Sequence, residues 1–253
     1  MHTAPHQQIS STQDLLRAAA EFRQWVETTA PGATVFLCGG LALSLYGNPR
    51  QTQDADLAID LSRTRRANGR AFDTNALKQI AGESPFFSVG PKVYWILNAN
   101  TPSQKLIQVD FVDAQLFWHP FSSTQMIGGI PGLPVPVMNL PTLLVGKMKS
   151  ALERSQTDRV ERITKVANDV NDFLFALGKC TQQRLILTTL HIQHLGASEQ
   201  AAFEVMKAFF QLKASLQQPR WSETTFASNY QSQWVQLITR SQLPELFSTA
   251  CNY

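Results

Sequence analysis

Residues 36–59 read Phe36-Leu37-Cys38-Gly39-Gly40-Leu41-Ala42-Leu43-Ser44-Leu45-Tyr46-Gly47-Asn48-Pro49-Arg50-Gln51-Thr52-Gln53-Asp54-Ala55-Asp56-Leu57-Ala58-Ile59. The apolar run Thr34–Cys38 predicts a short buried strand, ended by Gly39-Gly40. Leu41–Tyr46 then predicts a short helix closing at Gly47-Asn48-Pro49, and Asp54–Asp60 a second strand. On a strand, residues i and i+2 share a face, so Asp54 and Asp56 present two carboxylates together. Adjacent carboxylates repel unless a cation neutralises them, and hard oxygen ligands suit Mg²⁺ or Mn²⁺. Glycines between a strand and a helix let backbone N–H groups approach an anion. Gly39-Gly40 with the Asp pair therefore points to a metal–triphosphate substrate. Arg50 is placed to contact phosphate, and the Thr52 hydroxyl to brace the Asp strand.

A third carboxylate is expected on a neighbouring strand. In Ile107-Gln-Val-Asp-Phe111 the apolar residues alternate toward a core, leaving Asp110 on the other face. Displacement at phosphorus assisted by two metals wants such a trio. Asp113 is the alternative third ligand, less well placed because it falls where the strand pattern ends.

Outward from this stretch, Ser10-Ser11-Thr12 followed by Leu15, Leu16, Ala19, Phe22, Trp25 and Val26 predicts a capped amphipathic helix that stops at Ala30-Pro31-Gly32. Thr74–Ala81 reads as a helix, and Phe86–Val89, Lys92–Leu97 and Lys105–Val112 as strands. The Gly/Pro-rich stretch Gly128–Pro136 marks a change of regime. Beyond Pro141 the pattern is helical, with helices near 141–154, 158–178, 181–193, 197–215 and 224–240. The expected fold is α/β (α+β): a mixed β-sheet flanked by helices over 1–138, followed by an all-helical domain over 139–253.

The composition sets wide bounds. At 253 residues and 43% apolar the chain can bury a core without staples, and disorder is excluded. Three scattered cysteines make neither a disulfide framework nor a metal set. No apolar run approaches a membrane span, and Met-His-Thr-Ala-Pro-His lacks the form of a signal peptide, so a soluble cytoplasmic protein is expected. The net charge of +3 gathers locally, with six basic and three acidic residues in Lys147–Lys165. That patch tolerates a nucleic-acid partner without demanding one. Arg63-Thr-Arg-Arg66 and Arg70 follow the Asp strand, where they could touch a polyanionic substrate, but read first as a solvated loop. His191 and His194 would share a helix face with no third ligand near in sequence, and read as surface or core histidines. Gly146-Lys147-Met148 lacks the flanking residues of a P-loop.

The segment from Gly39 to Asp56 resembles the polymerase β-type nucleotidyltransferase superfamily, whose signature is a hydrophobic strand, Gly-Gly or Gly-Ser, a spacer and Asp-x-Asp. Within it the abortive-infection toxin (AbiEii-like) branch is most similar, with Gly-Gly-x-Ala-Leu and then Arg-x-Thr-x-Asp-x-Asp. That branch also carries a helical Lys, a later Arg and an acidic pair, matched here by Lys147, Arg154, Asp169 and Asp172. The resemblance implies transfer of an NMP from an NTP to an acceptor hydroxyl, with release of pyrophosphate. Asp54 and Asp56 would hold the metal on the triphosphate, and Asp110 a second metal while serving as base. Lys147 and Arg154 would contact the triphosphate. The acceptor, whether RNA, protein or small molecule, is not readable, nor are the base preference and the oligomeric state. The competing reading is a catalytically inactive nucleotide-sensing or protein-interaction module on the same fold. The distance from Asp110 to the Asp pair discriminates the two.

Overall fold

The computed structural model describes residues 10–66, 69–156, 160–216 and 229–252. The chain divides into two compact units, one running to Phe117 and resuming at Ser122–Met138, the other made of Trp118–Phe121 and everything from Asn139.

The first unit is a five-stranded mixed sheet with flanking helices. Its strands are β1 (Thr34–Leu37), β2 (Asp54–Asp60), β3 (Phe87–Val89), β4 (Val93–Leu97) and β5 (Lys105–Asp113), in the order β1-β2-β5-β4-β3. Of the four described strand pairs, β2–β5 is parallel and the other three are antiparallel. Helix α1 (Thr12–Thr29) starts at a capping box in which Ser11 and Asp14 satisfy each other's backbone N–H. Its buried stripe of Leu15, Ala18, Ala19, Phe22 and Val26 has the helical period. Phe22 meets Phe87, Trp95 and Phe111 from three strands, so one aromatic ring ties the helix to the sheet. Lys105 Nζ reaches Asp14 Oδ2 at 2.8 Å and fixes the start of α1 against β5. Helices α2 (Gly39–Leu45), α3 (Thr74–Glu83), α4 (Ala114–Phe117) and α5 (Ser123–Met126) complete the unit. The stretch after Gly128 returns to the sheet: Leu37 N–H donates to Pro136 O, and Met138 N–H to Leu37 O.

The second unit is helical: α6 (Leu140–Ser155), α7 (Val160–Gln182), α8 (Thr189–Leu195), α9 (Glu199–Ser215), α10 (Tyr230–Arg240) and α11 (Leu246–Thr249). Its core gathers Phe173, Phe209, Phe210 and Trp234. Gly146 lies inside α6 because a Cβ there would sit 2.0 Å from the Trp118 ring.

Several boundaries differ from the periodicity. Gly39 and Gly40 form the first turn of α2 and do not precede it. The helix expected over 181–193 is two pieces: α7 runs on to Gln182, and α8 begins only at Thr189. Arg184 takes φ 54°, which lets Leu185 N–H reach back to Cys180 O and close α7. Thr188 then caps the new helix. The expected helix starts at 158 and 224 fall outside the described residues.

Candidate active site

The apolar β1 delivers the chain to Gly39, whose φ of +59° favours glycine. Space demands glycine as well, since a Cβ at Gly39 would lie 2.0 Å from Asp56 Oδ2. The next residue uses that closeness: Gly40 N–H donates to Asp56 Oδ2 at 2.9 Å. A Cβ at Gly40 would come within 2.6 Å of Arg50 Nη2 and 3.1 Å of Thr52 Oγ1. Thr52 Oγ1 donates to Asp54 Oδ1 at 2.8 Å. Gly39, Gly40, Arg50, Thr52, Asp54 and Asp56 are thus brought to one place. Beside them opens a pocket of about 420 Å³ whose lining includes Ser11, Ser44, Asn48, Arg50, Gln51 and Thr52.

The third carboxylate comes from β5. In the parallel β2–β5 register Asp56 is opposite Asp110, and Asp54 opposite Gln108. Ile107, Val109 and Phe111 turn to the core while Asp110 stays exposed. One ligand atom from each of Asp54, Asp56 and Asp110 lies within 4.8 Å of the others. Asp113 is not among them, because its Oδ1 accepts the N–H groups of Gln115 and Leu116 at the start of α4. Three converging carboxylates, two half-buried and one exposed, fit a hard divalent cation: oxygen is the ligand it prefers, and its charge relieves their repulsion. Gln108 is the neighbour that sequence reasoning passes over. Its Nε2 donates to Asp110 Oδ2 at 2.8 Å, and its Oε1 accepts from Lys92 Nζ at 2.7 Å. Its position two residues before Asp110 was the available signal.

In the helical unit Lys147 and Arg154 on α6 meet the acidic pair on α7. Lys147 Nζ lies 2.9 Å from Asp169 Oδ1 and 2.8 Å from Asp172 Oδ2, and Arg154 pairs with Asp169 Oδ2. The side chains of Asp169 and Asp172 are 2% and 0% exposed, and that of Lys147 11%. Lys165 is exposed. His191 and His194 are core residues. His191 Nδ1 accepts the Thr188 N–H, which leaves its ring proton on Nε2, 3.4 Å from Thr142 Oγ1. His194 stacks on Trp118 at 5.2 Å and donates Nδ1–H to His119 O, while its buried Nε2 has no hydrogen-bond partner. Burial pushes both imidazoles down to about 4, so they are neutral in the fold near pH 7. Burial raises the Cys180 thiol to about 12, which makes it inert. Around the basic loop, Arg65 Nη1 donates to the Ser62 and Thr64 carbonyls, and Arg66 lies over the Phe72 ring. Among the described residues no helix is long and apolar enough to cross a membrane.

A family model described as "Nucleotidyl transferase AbiEii toxin, Type IV TA system" matches residues 26–222. No curated protein matches the chain. Among solved structures, an antigenic nucleotidyltransferase-like protein from Paracoccidioides brasiliensis is similar with a TM-score of 0.55 at 17% identity, over 81% of this chain and 91% of that one. At that identity the likeness speaks for the fold. The antibiotic-resistance factor ANT(2'')-Ia aligns over 81% of this chain and 92% of its own at 14% identity. Its TM-score of 0.33 is too low to carry an argument.

Proposed function

Because this chain belongs to the AbiEii nucleotidyl transferase toxin family, we propose that it transfers a nucleoside monophosphate from an NTP to an acceptor hydroxyl and releases pyrophosphate. The observation that carries this reading is the convergence of Asp54, Asp56 and Asp110 within 4.8 Å. A sensing module has no need of the third carboxylate at that distance. Asp54, Asp56 and Asp110 are the residues to hold Mg²⁺ or Mn²⁺, and the bound cation supplies charge neutralisation on the triphosphate and at the attacking oxygen.

The remaining steps belong to the chain's own side chains. Gly39 and Gly40 keep Cβ atoms out of the space where Asp56, Arg50 and Thr52 meet. Thr52 holds Asp54 in one orientation through its hydroxyl. Arg50 contacts phosphate. The acceptor hydroxyl attacks the α-phosphorus, the bond from that phosphorus to the bridging oxygen of pyrophosphate breaks, and Asp110 takes the hydroxyl proton. Lys147 and Arg154 are assigned to the triphosphate on the motif alone. That role is tested by the KM for NTP of a Lys147→Arg variant, which keeps the charge and changes the donor geometry.

The deciding experiment offers each of four α-phosphate-labelled NTPs with Mg²⁺ or Mn²⁺, with and without cell extract. An Asp54→Asn/Asp56→Asn protein runs beside it. Label should pass to a protein, RNA or small molecule with the unaltered chain and fall by about 10³-fold in the double variant. Full transfer by the double variant would sink the assignment.

A further inference from the structure

Gln108 is 7% exposed, two residues before Asp110 on β5, with Tyr94 opposite it on β4. Both ends of its amide are engaged, Nε2 toward Asp110 Oδ2 and Oε1 toward Lys92 Nζ. An ammonium group only donates and an ionised carboxylate only accepts, so these two neighbours permit one orientation of the amide. Turning it over would set NH₂ against NH₃⁺ and oxygen against oxygen. Asp110, by contrast, is an exposed side chain crowded by two other carboxylates. Repulsion alone would swing it away from Asp54 and Asp56. Among the described residues, the Gln108 amide is its side-chain hydrogen-bond donor.

We propose that Gln108 is a positioning residue, oriented by Lys92, that holds Asp110 beside Asp54 and Asp56 so that a divalent cation meets a preformed trio. The inference rests on the reading of those aspartates as a metal site. It adds a second layer, Lys92 to Gln108 to Asp110, in which a surface charge acts on a ligand through a buried neutral amide. Outer partners of this kind typically change metal affinity by about 10- to 100-fold.

The test is Mn²⁺ binding to the full chain, with free Mn²⁺ followed by its electron paramagnetic resonance signal. Gln108→Leu, Lys92→Met, Lys92→Arg and Asp54→Asn/Asp56→Asn are compared with the unaltered protein, each checked for native circular dichroism. Gln108→Leu should weaken binding by about 10-fold or more, and Lys92→Met by several-fold. Lys92→Arg, also a pure donor, should bind as the unaltered protein does. Lys92 is exposed, so its variants keep the question open to test should Gln108→Leu fail to fold. If a folded Gln108→Leu or Lys92→Met protein binds Mn²⁺ undiminished while Asp54→Asn/Asp56→Asn has lost it, the positioning role is overturned and the metal site stands. If the double Asp variant binds as well as the unaltered chain, the metal site and the positioning role both fall.

Discussion

Asp169 and Asp172 are buried in the helical unit with Lys147 and Arg154 against them, two cations for two anions. Asp54 and Asp56, half-buried, crowd against the exposed Asp110 on the sheet, and side-chain donors to Asp54 and Asp110 are a hydroxyl and an amide. In the helical cluster opposite charges meet: Lys147 bridges both buried carboxylates, and Asp169 holds Arg154 as well. The sheet cluster gathers three like charges and holds Asp54 and Asp110 through neutral donors, an arrangement that favours a cation from outside. The two histidines extend the contrast, since the helical unit buries them neutral.

Lys147→Met breaks the comparison most severely. It removes the ammonium that contacts both buried carboxylates, so the helical unit should lose about 4 kcal/mol, read as a lowered urea midpoint. Little change there would show that the pair is not structural. Gly39→Ala strikes the other side. Its Cβ must displace the Asp56 carboxylate, so transfer activity should fall about a hundredfold with little loss of fold. An unaffected Ala variant would mean that Asp56 can move freely.

Acid gives the next effect. The unfolded chain binds a proton on each histidine near 6.5, whereas the folded chain resists until about 4. Stability is therefore full above pH 6.5 and falls as the pH drops toward 4, by about 2 kcal/mol per ring at about pH 5. Thermal melts of the unaltered protein and of His194→Gln across that window should converge at acid pH. Thr52→Val is the mildest change. Loss of the hydroxyl on Asp54 should reduce Mn²⁺ affinity about tenfold and leave the melting curve close to that of the unaltered chain.

The local parts of the site were legible because they follow from period and spacing. Asp54 and Asp56 share a face by strand alternation, and Asp110 is set opposite Ile107, Val109 and Phe111 by the same rule. Gly39-Gly40 announced a close approach, but not that Asp56 would be the group approaching. The rest depends on contacts between elements distant in sequence. Nothing in Ile107-Gln-Val-Asp-Phe111 reveals that Lys92, just before β4, grips the glutamine. The meeting of Lys147 with Asp169 arises from the packing of α6 on α7. The break at Arg184 escaped because a positive φ at arginine has no composition signal, and Leu185–Leu187 continues an apolar pattern through the turn. The short α4 is likewise set by Asp113 capping its first N–H groups, a detail of register.

The parallel pairing of β2 with β5 has a consequence for the order of events at synthesis. Asp56 and Asp110 come from strands separated in sequence by α3, β3 and β4. Parallel strands cannot be joined by a tight hairpin, and long-range pairing is slow. A growing chain that has completed β2 therefore holds two of the three aspartates and no place for the third. The trio comes into being only when β5 has been made and has found its partner, so the cation site is assembled late, by a long-range pairing, and not by the local Gly39–Asp56 segment.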